Sequence, residues 1–311
     1  MKFDFFKICS LFFLLGSGSL VKAQDPKLPP TNLGQINMLD GKAPGPGIYY
    51  QQVVQTYSSS QVADGNGQLM SSSFSSILAA QQLLFTTKLK VAGANLGFMA
   101  LQPLVQINAG DGSLSPMVNA NPMGDLIVGS YLQWYDKKFL SMPFYHRFEL
   151  DVSLPTGSFS SDFDINPGAN RYVVSPHYTF TAFPTKLLSF SMRHYLNYNF
   201  REIGSQSRAG ISYNFNYSLE HTVYKSFRIM AAGYFLDQLE NDRFAGNSNY
   251  YSQVYGIDNT REKAFAIGLG LGYITPTGLS IEVKSMKETT AVNRSKGTRS
   301  TLVLAYRIGS K

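Results

Sequence analysis

The stretch that decides the fold is Ile211-Ser-Tyr-Asn-Phe-Asn-Tyr-Ser-Leu219. Its odd positions (Ile211, Tyr213, Phe215, Tyr217, Leu219) are apolar or aromatic, and its even positions (Ser212, Asn214, Asn216, Ser218) are polar. Successive strand side chains point to opposite faces, so the segment reads as a strand with one greasy and one wet face. The same alternation sets Phe144, His146, Phe148, Leu150, Val152 and Leu154 against Tyr145, Arg147, Glu149, Asp151 and Ser153. It also sets Leu188, Phe190, Met192, Leu196 and Tyr198 against Ser189, Ser191, Arg193 and Asn197. Near the end, Phe265, Ile267, Leu269, Leu271 and Tyr273 oppose Ala264, Ala266, Gly268, Gly270 and Gly272, a face small enough for a plug or ligand to approach closely. Two features fit less well: His194 falls on an apolar face, and residues 94–108 alternate poorly.

Strands are predicted at 47–57, 74–90, 94–108, 123–136, 142–155, 170–181, 185–199, 207–220, 224–239, 261–275, 277–288 and 297–309. The connections alternate in length. Residues 58–73, 109–122, 156–169, 200–206, 240–260 and 289–296 are long; 91–93, 137–141, 182–184, 221–223 and Pro276 are short. Outer-membrane barrels have long outside loops and short periplasmic turns, whereas a soluble sandwich has no reason to sort its loops. The expected fold class is therefore all-β: a transmembrane antiparallel up-and-down β-barrel of about 12 strands over residues 47–311. The even strand count places both ends in the periplasm.

Residues 1–23 read as a signal peptide, with Lys2 and Lys7, an apolar run from Ile8 to Leu15, and a cleavage site at Ala23. That run is too short for an anchor, since a spanning helix needs about 20 apolar residues. Residues 24–46 are rich in Pro, Gly and Asn and aperiodic, either a periplasmic tail or a plug in the barrel mouth. The expected location is the outer membrane of a Gram-negative bacterium. Its lipid and the barrel-assembly machinery are the expected partners. The single cysteine, Cys9, lies in the signal, so disulfides and thiol chemistry are excluded from the exported chain. The formal charge is +7, falling to about +5 without the signal. The basic residues are dispersed rather than blocked, so the reading is anionic headgroups or a mildly cation-repelling lumen, not nucleic acid.

Short motifs along the mature chain resemble the meta-pathway phenol-degradation family of outer-membrane proteins. They are Ala43-Pro-Gly-Pro-Gly-Ile-Tyr-Tyr50, Asp64-Gly-Asn-Gly67, Met123-Gly-Asp-Leu126 with Trp134, Leu154-Pro-Thr-Gly157, Asn166-Pro-Gly-Ala-Asn170 with Pro176, and Gln238 with Asp242. The resemblance implies a barrel related to transporters of hydrophobic compounds. One element departs from such barrels: the chain ends Tyr306-Arg-Ile-Gly-Ser-Lys311 rather than on an aromatic residue.

No catalytic, cofactor or metal residues are expected. Ser175 and His177 share a face but lack an elbow motif. Ser161-Asp-Phe-Asp164 with Asn166 lacks the glycine and terminal glutamate of a calcium loop. The candidate lumen residues are Arg147, Glu149, Asp151, Arg193, Arg208, Glu220, Arg228, Glu282 and Lys284, read either as a selective constriction or as ion pairs bracing a narrow barrel. Tyr49, Tyr50, Trp134, Tyr135, Phe183, Tyr224 and Tyr273 read as interfacial girdles. Phe159, Phe163, Tyr250, Tyr251 and Tyr255 are loop aromatics, forming either a gate for aromatic solutes or ordinary loop packing. The expected function is passive passage of small hydrophobic or aromatic compounds. The alternatives are a non-transport surface barrel with a binding or structural role, a general hydrophilic porin, or a barrel enzyme.

Overall fold

The computed structural model describes residues 32–43, 45–110 and 115–309, so the signal peptide expected at 1–23 lies outside the described residues. The chain forms β1 (Gly47–Ala63), β2 (Leu69–Val91), β3 (Ala94–Ala109), β4 (Ile127–Phe139), β5 (Met142–Ser153), β6 (Val173–Ala182) and β7 (Leu188–Asn199). There follow β8 (Ser207–Arg208), β9 (Ser212–Tyr224), β10 (Phe227–Gln238), β11 (Arg243–Phe244), α1 (Tyr250–Tyr255), β12 (Lys263–Ile274), β13 (Ser280–Val292) and β14 (Arg294–Ile308). Every strand but β8 and β11 pairs antiparallel with its neighbours in one closed barrel, and β1 closes on β14. The strands β8 and β11 form a separate two-residue ladder among the long loops.

The barrel is inverted relative to a soluble core. In β9 the polar residues Asn214, Asn216, Ser218 and Glu220 are 0% exposed, whereas Leu269 of β12 is 74% exposed. Ile77, Leu83, Phe98, Phe148, Leu219, Ile267 and Leu302 likewise point outward. Such a surface is stable only against hydrocarbon. Among the described residues no helix is long and apolar enough to cross a membrane; the crossing is made by strands.

The predicted long connections 58–73 and 289–296 prove to be mostly strand. There β1 and β2 leave only 64–68 between them, and β13 and β14 only Asn293. The Ser-rich stretches there carry no apolar alternation, yet they pair Ser58 with both Thr298 and Ser75. Above the hydrocarbon band, backbone pairing needs no greasy face. The other long connections are real loops, and Val118 bridges Ile165 to tie two of them together.

Residues 32–43 lie inside the barrel. Leu33, Ile36 and Met38 are buried, and Leu33 and Met38 pack with Met230, Tyr234, Leu236 and Met286 of β10 and β13. A methyl on Gly272 would lie 2.5 Å from Met38 Sδ, so the small face of β12 is where this segment approaches the wall.

Lipid-facing and lumen-facing changes should therefore separate cleanly. Leu269→Arg is expected to lower the unfolding free energy by about 2–4 kcal/mol if it lies near the bilayer midplane. Leu269→Met should change it by less than about 1.5 kcal/mol. Reversible denaturant unfolding in lipid vesicles measures both; equal midpoints for the two variants would contradict this orientation.

Candidate functional site

The lumen is divided along its length. On one side the segment 32–43, held against β7, β9, β10, β12 and β13, has its backbone polar groups satisfied by wall side chains. Gly34 N–H donates to Asn216 Oδ1 at 2.7 Å, Leu39 N–H to Glu220 Oε1 at 2.9 Å, and Gly41 N–H to Thr181 Oγ1 at 2.8 Å. Met38 N–H donates to Glu282 at 2.5 Å, and Lys284 Nζ donates to the Ile36 carbonyl and pairs with Glu282. Asp40 forms a two-point ion pair with Arg193, whose Nε lies 2.6 Å from Oδ2. The lumen charges Glu220, Glu282, Lys284 and Arg193 thus hold an internal segment. Arg228 braces Glu220 at 3.8 Å and donates to Ser189 Oγ at 3.3 Å.

The other side is open. A cavity of about 1540 Å³ runs from Asp125, Pro167 and Ala169 at the loop end to Lys88, Lys90 and Gly278 at the turn end. One wall of it is apolar: Leu78 and Leu84 of β2, Met99, Leu101 and Val105 of β3, and Ile127 of β4. The adjoining wall, on β5 to β7, is polar and charged, with Arg147, Glu149, Asp151, His177, Arg193 and Tyr195. Here Glu149 Oε2 is ion-paired with Arg147 Nε at 2.9 Å and lies 2.8 Å from His177 Nε2, while His177 Nδ1 is 3.9 Å from Asp151. Glu149, Asp151 and His177 offer ligand-type atoms within 4.8 Å of one another, a grouping that the spacing on β5 alone does not reveal. Because Arg147 already sits on Glu149, a cation there would have to displace a formed ion pair. Ser175 Oγ donates to Asn197 Oδ1 at 2.8 Å, so its hydroxyl is directed away from His177.

The loop end is knotted by buried carboxylates. Asp125 accepts from Gly157 N–H and Ala169 N–H, each at 2.8 Å, and Leu126 N–H donates to Thr156 Oγ1 at 2.9 Å. A Cβ on Gly168 would come within 2.7 Å of the Gly157 backbone, and one on Gly157 within 2.8 Å of Asp125, so the three segments pack this closely only with glycine at both positions. Asp242 accepts from Gly210 N–H at 2.9 Å and from Gln238 Nε2 at 2.7 Å. Asp64 Oδ1 accepts from Asn66 and Gln68 N–H, at 2.9 and 2.8 Å, and shapes the β1–β2 turn.

A protein-family profile described as "Putative MetA-pathway of phenol degradation" matches residues 58–303. The chain belongs to this family. The crystal structure of an outer membrane channel from Pseudomonas putida F1 superposes with a TM-score of 0.71 at 13% identity, covering 90% of this chain and 99% of that one. That likeness shows the fold, a closed barrel of the outer-membrane type. The KdgM porin (TM-score 0.42, 10% identity, 84% and 99% covered) and the translocator domain of the autotransporter NalP from Neisseria meningitidis (0.45, 9%, 86% and 90%) are more distant barrels. No curated protein matches the sequence.

In this member of the phenol-degradation family, three of the motifs that carry the resemblance converge at the loop end, whereas Ala43, Tyr49 and Tyr50 of the first motif line the cavity at the turn end. Met123-Gly-Asp-Leu126, Leu154-Pro-Thr-Gly157 and Asn166-Pro-Gly-Ala-Asn170 meet at Asp125, and Gln238 meets Asp242. Of the residues expected in the lumen, Arg208 is a correction. It lies on β8 among the loops, 3.4 Å from Glu240 and over Tyr198, because the strand predicted from 207 begins at Ser212. Three expected girdle residues, Tyr49, Tyr50 and Tyr135, instead line the cavity, Tyr49 and Tyr135 because they share the lumen parity of Gln51 and Gln133. Tyr250, Tyr251 and Tyr255 form α1 and pack on one another and on Phe244, whose ring centroid is 4.4 Å from that of Tyr250. Phe159 and Phe163 are half-buried in the 154–172 connection. Asp164 accepts from Met117 N–H at 2.8 Å and Asn166 from Asn119 Nδ2 at 2.9 Å, so the acidic loop is spent on tying loops together. On the lipid face, His194 is satisfied by Tyr213 OH at 2.7 Å, and His146 stacks on Trp134 at 4.7 Å.

Two predictions follow from the loop end. Asp125→Ala strands two buried N–H groups and is expected to cost the loop layer about 2–5 kcal/mol. Limited proteolysis should then cut residues 154–172 while the barrel keeps its folded mobility in unheated gels; unchanged cleavage would mean that Asp125 holds nothing.

The second concerns pH. Burial pushes Asp242 up to about 6 and Glu262 up to about 7; at Glu262 the Arg294 guanidinium 3.1 Å away opposes this, while the nearby Asp242 and Glu288 charges add to it. A carboxyl raised on folding stabilises fully below its unfolded pKa, near 4, and that contribution is lost as pH rises through the folded value. Hydrogen exchange in residues 239–262, corrected for intrinsic rate, should show greater protection at pH 5 than at pH 8. Glu262→Gln, which mimics the protonated form, should flatten much of the difference.

Proposed function

We propose that this barrel passes small hydrophobic or aromatic compounds down their gradient across the outer membrane. The observation that carries the reading is the divided cavity: an apolar wall on β2 and β3 continues through β4 into a charged wall on β5 to β7. An apolar lumen face is costly in a water-filled pore and is useful where the solute has a greasy body to desolvate. The charged wall keeps the rest of the cross-section hydrated and can orient a polar substituent. No energy source is encoded, so net movement follows concentration. Residues 32–43 narrow the lumen, and the Asp40–Arg193 pair is the charged latch that keeps them seated.

The test is entry of a radiolabelled alkylbenzene into a Gram-negative host expressing the barrel. Entry should rise several-fold with the wild type and fall back for the double variant Leu78→Asn with Met99→Gln, which wets the apolar wall. Equal entry through both, with both folded, would defeat the reading. A large, steady ionic conductance in a planar bilayer, insensitive to these substitutions, would instead favour a general hydrophilic porin. Removing one partner of a buried pair costs about 3–5 kcal/mol. Asp40→Asn is therefore expected to loosen the plug and raise ionic conductance several-fold over the wild type; unchanged conductance would mean the segment stays seated without its latch.

A further inference from the structure

The charges that line the cavity are unevenly placed along it. At the loop end the lining charge is Asp125. At the turn end the lining cations are Lys42, Lys88, Lys90 and Arg307, and the one carboxylate beside them, Asp136, accepts from Tyr145 OH at 3.0 Å. Lys88 and Lys90 follow Gln82, Leu84 and Thr86 on the lumen parity of β2, and Arg307 follows Thr301, Val303 and Ala305 on that of β14.

Among the described residues none of the four cations is in an ion pair. Two of them already lie against aromatic rings at this mouth. Lys42 Nζ is 4.9 Å from the Tyr145 centroid, and the Arg307 guanidinium is 6.0 Å from that of Tyr49. Further up the lumen, Arg299 is committed to Gln55 at 2.8 Å and to the face of Tyr57, and Arg193 to Asp40. The positive charge of the passage that is in no ion pair is thus gathered at the turn end, beside the half-buried rings of Tyr49 and Tyr145.

We propose that this mouth is a binding site for aromatic acids: Lys42, Lys88, Lys90 and Arg307 hold the carboxylate while Tyr49 and Tyr145 take the ring. The inference rests on the reading of the barrel as a passage for aromatic compounds and narrows its solute class. A neutral phenol meets only the ring faces and the apolar wall, whereas a carboxylate also meets the cations. A carboxylate seated about 7 Å from each of the four cations, in water-like surroundings partly screened at 0.1 M salt, would bind on the order of tenfold more tightly than a neutral ligand.

The experiment is calorimetric titration of the mature barrel in a non-ionic detergent with benzoate and with benzamide, its neutral counterpart. Benzoate should bind about tenfold more tightly at low ionic strength and lose that preference in 1 M salt, where the Debye length is about 3 Å. The salt arm needs no substitution and so holds even if a variant fails to fold. Lys88→Gln with Lys90→Gln and Arg307→Gln should bring the two affinities together. Lys137→Gln with Lys138→Gln, on the same rim but outside the cavity lining, should leave the preference intact. Equal binding of the two ligands by the wild type, or a preference insensitive to both salt and the triple change, overturns this inference and leaves the passage standing. Binding of neither ligand defeats the passage reading itself.

Discussion

The structure depends on one constraint: in hydrocarbon, every backbone N–H and C=O must find a partner within the protein. A sheet meets it only by closing, and β1 pairs with β14 over nearly its whole length to do so. Closure then dictates which face is wet. Ser212, Asn214, Asn216, Ser218 and Glu220 turn inward because lipid covers the outside, and the enclosed space becomes a largely polar interior whose apolar cluster forms where Leu33 and Met38 meet Met230, Tyr234, Leu236 and Met286. The same requirement reappears inside. Residues 32–43 have no sheet to join, so Asn216, Glu220, Glu282 and Thr181 accept their N–H groups, while Gln133 and Lys284 donate to their carbonyls.

This accounts for the balance of charge in the lumen. Two readings were open for the inward charges, selectivity or bracing. On the plug side Lys284, Glu282, Glu220 and Arg193 are engaged in holding residues 32–43. Facing the cavity, Arg147, Glu149, Asp151 and His177 form a connected cluster, still bordering open space. One set of residues fills the barrel and its neighbours line what is left. The adjoining apolar wall on β2 to β4 gives that remainder its two-sided character, and the knots at Asp125 and Asp242 hold the loops above it.

Much of this was legible in the sequence where one physical signal acted alone. The period-two pattern located all twelve barrel strands, because lipid on one side and polar lumen on the other write opposite demands on alternate residues. It failed where that contrast vanished. Above the membrane both faces of β1 and β2 are wet, so Ser58–Ser60 and Ser71–Ser73 read as loop. In β3 both faces are apolar, and the weak alternation of residues 94–108 was the mark of the greasy lumen wall. Arg208 was misplaced because Ser207 and Arg208 continue the pattern of β9 across the buried Gly210, whose close contact with the Glu240 carbonyl ends the barrel wall there.

What the sequence by itself determined is the barrel: its strand count, its closure, its outward apolar face and the side on which its loops are long. Those follow from local alternation and connection length, which neighbouring residues carry in full. The tertiary structure alone decided that residues 32–43 lie in the lumen, that Asp40 meets Arg193, that His177 joins Glu149 and Asp151, and that the motifs around Asp125 converge. Each is a pairing between segments dozens to hundreds of residues apart. Which residues meet there is set by barrel register and by the space the walls leave, neither of which is written in any one stretch of chain.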